Sequence, residues 1–362
     1  METIRCLCRF FQAIKIQIFD IIRSPDRRWS RIHNGRCGTN AYFVLTRHPP
    51  MTSNPTGKKL AELMLMFIVV VWALNFSVVK YSLGEIDPLS FNAFRFALGI
   101  LLMWTAVWLR GIRIRIARKD MGKVVVLGLL GNLIYQMLFI VGIDRTFASN
   151  AAVMLGTIPV WIAVFSHLFT DQKMYRLQAI GVFFAFSGVV MIMGFGEQGL
   201  NLRSESVLGD AIIISGAMVF AVYTLLSRSL LETYSPLTLS TMVMTIGGVL
   251  LILVAIPSLI RLDYHSVSLL SWGGAGFSGV FAIGAAYLIW NFGIKNVGAV
   301  RTATYQNMVP VLGVLFGLIF LGEKLHILQY LGSLLTIAGV FLTRAGSIRS
   351  RPGKSAYPES RT

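Results

Sequence analysis

Charge is scarce in this sequence. Asp, Glu, Lys and Arg together make up 14% of 362 residues, against about 25% in an ordinary soluble domain. Acids are the scarcer sign, 16 Asp and Glu against 33 Lys and Arg. So little polar material cannot cover a water-facing surface, which excludes a soluble enzyme. Cysteine is confined to Cys6, Cys8 and Cys37, so neither a disulfide framework nor a cysteine metal site can lie further along. HExxH, GxSxG, a Walker A loop and any His/Cys cluster with metal spacing are also absent. No catalytic residue, no metal and no cofactor are expected.

What is abundant is apolar. Hydrophobic residues reach 55% and mean hydropathy is +0.68. Runs of about 20 apolar residues, the length of a bilayer-crossing helix, fall near 60–81, 88–109, 123–143, 147–169, 176–194, 207–227, 236–260, 269–293, 299–321 and 327–343. These runs lack the alternating polarity of membrane strands. The expected fold class is therefore all-α integral membrane, with ten transmembrane helices. Links such as Asp144-Arg145 are so short that neighbouring helices must be antiparallel hairpins.

The net charge of +17 sits entirely in three segments: 1–59, 110–123 and the stretch from Arg344 onward. Charge flanking apolar runs is the mark of membrane topology, whereas a nucleic-acid surface would interleave bases with aromatics. Membrane lipid is the expected surface partner, and nucleic acid is not. With the N-terminus in the cytoplasm, the tails and even-numbered loops hold 27 bases and the odd-numbered loops five. Both termini are thus expected in the cytoplasm, in a multi-pass protein of the plasma (inner) membrane. In the basic segment 1–58, Ile4, Leu7, Phe11, Ile14, Ile18 and Ile21 recur at helical spacing beside Arg5, Arg9, Lys15 and Arg23. That pattern fits an interfacial helix or, the reading preferred, an upstream extension with Met51 as the start. A basic cytoplasmic tail spans 346–362.

The chain repeats itself. At an offset of 151, Gly142 meets Gly293, Ala148 meets Ala299, Pro159 meets Pro310, Lys173 meets Lys324 and Gly188 meets Gly339. At an offset of 148, Glu62 meets Asp210, Lys80 meets Arg228 and Pro88 meets Pro236. Two units, 60–200 and 205–345, follow. Five spans is an odd number, so the second unit is inserted upside down. Two inverted five-helix repeats characterise secondary transporters, in which equivalent halves expose one central site to either side in turn.

The residues carrying this pattern resemble the drug/metabolite transporter superfamily in its EamA-type branch. Trp72-Ala73-Leu74-Asn75-Phe76 through Lys80 looks like that family's opening segment, and Pro88 with Phe94-Arg95-Phe96 resembles its second helix. Gly209-Asp210-Ala211 through Tyr223 resembles the start of its second repeat, and Pro310 with Gly322-Glu323-Lys324 its end. The likeness covers about 60–345, departing at Thr170-Asp171-Gln172, where Gly-Glu is usual, and at Phe220, where Trp is commoner. It implies a ten-helix bundle whose third, fourth, eighth and ninth helices wall a central cavity, with the first and sixth alongside. It further implies movement of small metabolites, often outward, and a homodimer through the fifth and tenth helices.

Polar groups inside the spans are the candidate site, because an unpaired one in hydrocarbon is costly. Asn132, Tyr135 and Gln136 share one helical face by spacing. Tyr287, Trp290 and Asn291 repeat that spacing, and Asn150, Met154, Thr157 and Trp161 form another stripe. The ninth helix offers Thr304, Tyr305, Gln306 and Asn307. Asn75 and Tyr223 share a register at the 148 offset and join the set. Together they describe a neutral, amphipathic pocket with Tyr and Trp for stacking and amides for orientation. Arg95, the one charge well inside a span, reads first as a structural charge that snorkels or binds helix-end carbonyls, and second as a lure for an anion. Glu62 and Asp210 read as acids at helix starts, and Gly313 and Gly317 as close-packing residues. The leading expectation is a secondary transporter of a small polar or amphipathic metabolite, amino-acid-like or drug-like, working by alternating access, with export as the expected direction. An intramembrane enzyme and a non-transporting scaffold are the alternatives.

Overall fold

The computed structural model describes residues 55–169, 174–194, 205–231, 233–290 and 305–349. Within them run α1 (Pro55–Ser82), α2 (Pro88–Leu109), α3 (Arg118–Arg145), α4 (Ala148–Phe169) and α5 (Arg176–Gly194). The second half holds α6 (Glu205–Leu231), α7 (Pro236–Arg261), α8 (Leu269–Trp290), α9 (Met308–Phe320) and α10 (Ile327–Arg349). Nine of these described helices are long and apolar enough to cross a membrane, and α9 is a shorter apolar helix. The all-α, ten-helix expectation is met; of the basic end segments, 55–58 begin α1 and 346–349 end α10, while 1–54 and 350–362 lie outside the described residues.

Helix starts repeat as the sequence does. Asp87 caps α2 through Oδ1, which accepts from the Leu89 and Ser90 N–H groups, both at 3.1 Å, with Pro88 in the first turn. Ser235 caps α7 through its hydroxyl oxygen, accepting from the Thr238 N–H at 3.2 Å, with Pro236 in the first turn. These two stations lie at the 148 offset. Proline suits a first turn because its missing N–H is unsatisfied there anyway. Deeper in a span the same residue breaks the ladder: α4 is interrupted at Thr157, two residues before Pro159. The Thr157 hydroxyl donates back to the Met154 carbonyl at 2.6 Å, which also accepts the Thr157 N–H at 3.1 Å, so the break closes on itself.

Packing obeys the same exchange. α1 lies against α8 and α9, and α6 against α3 and α4. α2 lies against α7 and α8, and α7 against α2 and α3, while α4 pairs with α9 and α5 with α10. Swapping each helix for the one five places on maps this set onto itself. The exchange reaches the backbone: α3 carries a π-helical turn at Leu129–Ile134 and α8 one at Ser278–Ala285, the same station at the 151 offset. Glycines let the neighbours close in there. A methyl at Gly247 of α7 would sit 2.6 Å from Asn132 Cβ, and one at Gly99 of α2 would sit 2.6 Å from Ile283 Cγ2.

Each end of the bundle carries one equivalent tie. The N–H of Ser268, the α8 cap, donates to Glu85 Oε2 at 2.7 Å, and the N–H of Ala117, before α3, donates to the Tyr234 hydroxyl at 3.1 Å. Hydrogen bonds from Ser268, side chain first and backbone second, hold the Glu85 carboxyl below its usual range. Its stabilising effect is therefore present from the ordinary carboxylate range upward and is lost as pH falls through the depressed value. Glu85→Gln is expected to flatten the acid limb of the melting-temperature profile. An unchanged limb would show that the tie does not form. Tyr234 also donates to Asp120 Oδ2 at 2.7 Å, which pushes its phenol up.

Candidate functional site

Three of the sequence-selected residues, Tyr135, Tyr223 and Tyr287, converge between the repeats, and Trp290 lies one turn along α8 from the third. Tyr135 of α3 stacks near Phe139 at 6.4 Å between centroids and tilts against Phe220 of α6 at 4.8 Å. Tyr223, one turn along α6, lies 5.2 Å from Phe220 and covers Gly131, where a methyl would meet its ring at 2.7 Å. Tyr287 of α8 lies near both Tyr135 and Tyr223. Trp290 lies 5.5 Å from Trp72 of α1, whose indole N–H donates to the Ala282 carbonyl at 3.0 Å. These half-buried aromatics form a wall shared by α1, α3, α6 and α8.

The remaining candidates scatter. Asn132 falls in the π turn and faces Gly247 of α7, because the extra residue per turn changes which side each position presents. Gln136 accepts through its backbone carbonyl from Asn92 Nδ2 at 3.3 Å, while its side-chain oxygen is buried without a partner. Asn75 is buried with its amide oxygen unpartnered. Met154 is fully buried in the apolar core beside Ile140, Ile143 and Ile213, and Thr157 closes the α4 break. Trp161 packs on Phe186 of α5 at 4.9 Å, its indole nitrogen buried without a partner. Tyr305 and Gln306 are half-buried at the foot of α9. Asn291 and Thr304 lie outside the described residues.

Arg95 does not snorkel. It is 3% exposed, and its Nε and Nη1 atoms have no hydrogen-bond partner. The guanidinium carbon sits 5.4 Å from the Phe139 ring centre and 5.9 Å from that of Phe91. A desolvated cation–π contact contributes about 2 kcal/mol, which offsets part of a desolvation penalty of several kcal/mol per buried ion. Rings satisfy no N–H donor, though, and each one buried unpaired costs about 1–3 kcal/mol or more. Helix-end carbonyls, the other structural role considered, are not among its partners in the described residues.

A second polar cluster, invisible in the intramembrane list, closes one end of the bundle. Glu323 lies in the α9–α10 link but caps α4: its carboxylate accepts from the Ala148 N–H at 2.6 Å, the Ser149 N–H at 3.0 Å and the Ser149 hydroxyl. Gly322, at φ 62°, adopts the left-handed turn that aims it there. Lys80, at the end of α1, donates to the Ile143 and Asp144 carbonyls at 3.0 and 2.6 Å. Asp210, 1% exposed and five residues into α6, accepts from the Thr146 hydroxyl at 2.5 Å and from Asn150 Nδ2 at 3.4 Å. It thus serves the α3–α4 link and not its own helix start. Gly317 fits as a close-packing residue: a methyl there would meet Ser149 Oγ at 2.5 Å. The signal for this lock was the carboxylate after Gly322, with an uncapped helix start at Ala148.

Comparison with known proteins agrees with the fold. The model of the EamA-like transporter family matches residues 59–194 and 207–345. The uncharacterized transporter YyaM of Bacillus subtilis is 32% identical over 289 residues, 79% of this chain and 94% of that protein. An uncharacterized transporter of Archaeoglobus fulgidus is 28% identical over 280 residues, covering 77% of this chain and 97% of its own length. A solved crystal structure at 18% identity, with a TM-score of 0.56, covers 82% of this chain and all of that one, a likeness of fold alone.

Proposed function

Because the chain belongs to the EamA-like transporter family, we propose that it is a secondary transporter carrying a small polar or amphipathic metabolite by alternating access. One observation carries this reading: among the described residues the helix contacts exchange between the two halves, while the acid that closes the Lys80–Glu323 end has no acidic counterpart in the sequence of the other half. The station equivalent to Glu323 in the first repeat is Gln172, a neutral side chain. Two halves of equal shape but unequal locks can rock between two states about the aromatic wall of Tyr135, Tyr223, Tyr287 and Trp290. The excess of Lys and Arg in the tails and even-numbered links supports cytoplasmic termini in the plasma membrane. The Lys80–Glu323 end then faces outward. Export is the direction carried over from the family resemblance. The apolar outer faces of α5 and α10, with Phe183, Val190, Leu334 and Phe341 exposed, would carry any homodimer contact.

The test is flux of labelled amphipathic metabolites in liposomes holding the full-length protein. Tyr135→Ala and Trp290→Ala are each expected to lower flux on the order of tenfold, the effect of about 1.4 kcal/mol, with the protein still folded. Unchanged flux in both removes the aromatic wall from the mechanism. No protein-dependent flux for any solute would favour a scaffold or an intramembrane enzyme instead. Impermeant labelling should also reach Lys173 and Lys324 from opposite faces.

A further inference from the structure

We propose that Arg95 is the anion-binding residue of the transport path and that the cargo is an amphipathic organic carboxylate. The inference deepens the transport reading and rests on it. Three observations carry it. First, the guanidinium is almost fully buried between α2 and α3 with Nε and Nη1 unpartnered. Nearby stands Tyr135, a neutral phenol and a member of the aromatic wall. Second, no carboxylate of the described residues pairs with it: Asp210 and Glu323 hold the α3–α4 link and the α4 start. Third, the molecule contains its own control. At the 148 offset Arg95 corresponds to Val243 of α7, which is 1% exposed within an apolar cluster.

That third point separates the two roles Arg95 could have. Both positions sit on the helix that crosses the π-helical span of the opposite repeat, and both crossings use an equivalent glycine, Gly99 or Gly247. Valine completes the packing in one copy, so the contact itself does not call for a cation in the other. A buried guanidinium that the fold does not require, and that no acid among the described residues neutralises, is provided for by a charge that comes and goes. A carboxylate suits it because the planar fork can give two parallel N–H···O bonds to one carboxylate. One cation, with no second base beside it among the described residues, matches a monoanion better than a phosphate dianion. The rings of Phe91, Phe139 and Tyr135 around it give the cargo's carbon body an apolar surface.

The experiment compares benzoate with its neutral isostere benzamide as ligands of the purified full-length protein, read by thermal unfolding. Benzoate is expected to raise the melting temperature in a saturable way and benzamide is not. Arg95→Gln should lose the benzoate shift by at least tenfold in apparent affinity, while Arg95→Lys keeps part of it. Equal responses to the two compounds in the unaltered protein, including no response to either, would overturn the proposal without needing a variant. So would a benzoate shift that survives in Arg95→Gln. Failure here is distinguishable from failure of the transport reading. Neutral solutes crossing by a Tyr135-dependent route without any benzoate effect would remove the carboxylate alone. A charge-selective shift without protein-dependent flux would remove transport alone.

Discussion

Glu323→Ala should open one end of the bundle. The carboxylate holds two backbone N–H groups and the hydroxyl of Ser149 at the start of α4 from a link 175 residues away in sequence. Each charge-assisted hydrogen bond contributes about 1.5–3 kcal/mol, and an N-terminal cap about 1 kcal/mol. These overlap and do not add, so we expect roughly 2–4 kcal/mol for the whole, or a shift of roughly 30- to 1000-fold at 1.4 kcal/mol per factor of ten. Ser77, 3% exposed on α1 one turn before Lys80, is a near-isosteric place for a reporter thiol. Labelling of Ser77→Cys by an impermeant maleimide should rise on the order of 10- to 100-fold when Glu323 is alanine. Glu323→Gln should fall between, since one carbonyl oxygen can still accept from Ala148. Labelling and melting temperature that both stay unchanged would show that this contact does not govern closure.

Gly339→Ala should cost even more, by parting α10 from α5. A methyl there would overlap the Ala185 nitrogen and lie 2.6 Å from the Gly181 carbonyl oxygen. The interface is reciprocal, because methyls at Gly181 and Gly188 would strike α10 backbone at Thr343 and Gly332. Overpacking in a closed core costs about 1–3 kcal/mol and sometimes more. Here the struck atoms are main chain, which yields only if the helices separate along their length, so the expected loss is at or above the top of that range. Gly131→Ala strikes the Tyr223 ring instead, which can turn aside, and should cost less. At Gly276 nothing lies within 4 Å, and alanine there should stabilise by up to about 1 kcal/mol through helix propensity. The melting-temperature order Gly276→Ala, Gly131→Ala, Gly339→Ala, from highest to lowest, checks the packing. Any other order contradicts it.

The candidate site was only partly legible. Tyr135, Tyr223, Tyr287 and Trp290 could be picked out because an aromatic with a polar edge is conspicuous inside a span. Their spacing alone could not show that Asn132 turns toward α7, since that depends on a π turn that glycine contacts permit. Met154 matched its stripe as well as Asn150 did, yet one lies in the apolar core and the other beside Asp210. Periodicity assigns positions to a face but does not say what the face meets. Glu323 was visible as part of a Gly-Glu-Lys link and nothing more, because its partner is an unsatisfied helix start in the other repeat.

What the sequence determined by itself was the number of spans, their duplication and the offsets of 148 and 151 that relate the copies. Hydrocarbon offers no hydrogen-bond partners, so each crossing must be a complete apolar helix, and its length is recorded directly in composition. Tertiary structure alone decided which buried polar groups meet: Thr146 with Asp210, Ala148 with Glu323, and Arg95 with rings but no acid among the described residues. Those pairings depend on where helices from opposite repeats cross, a long-range outcome of packing that no local pattern encodes.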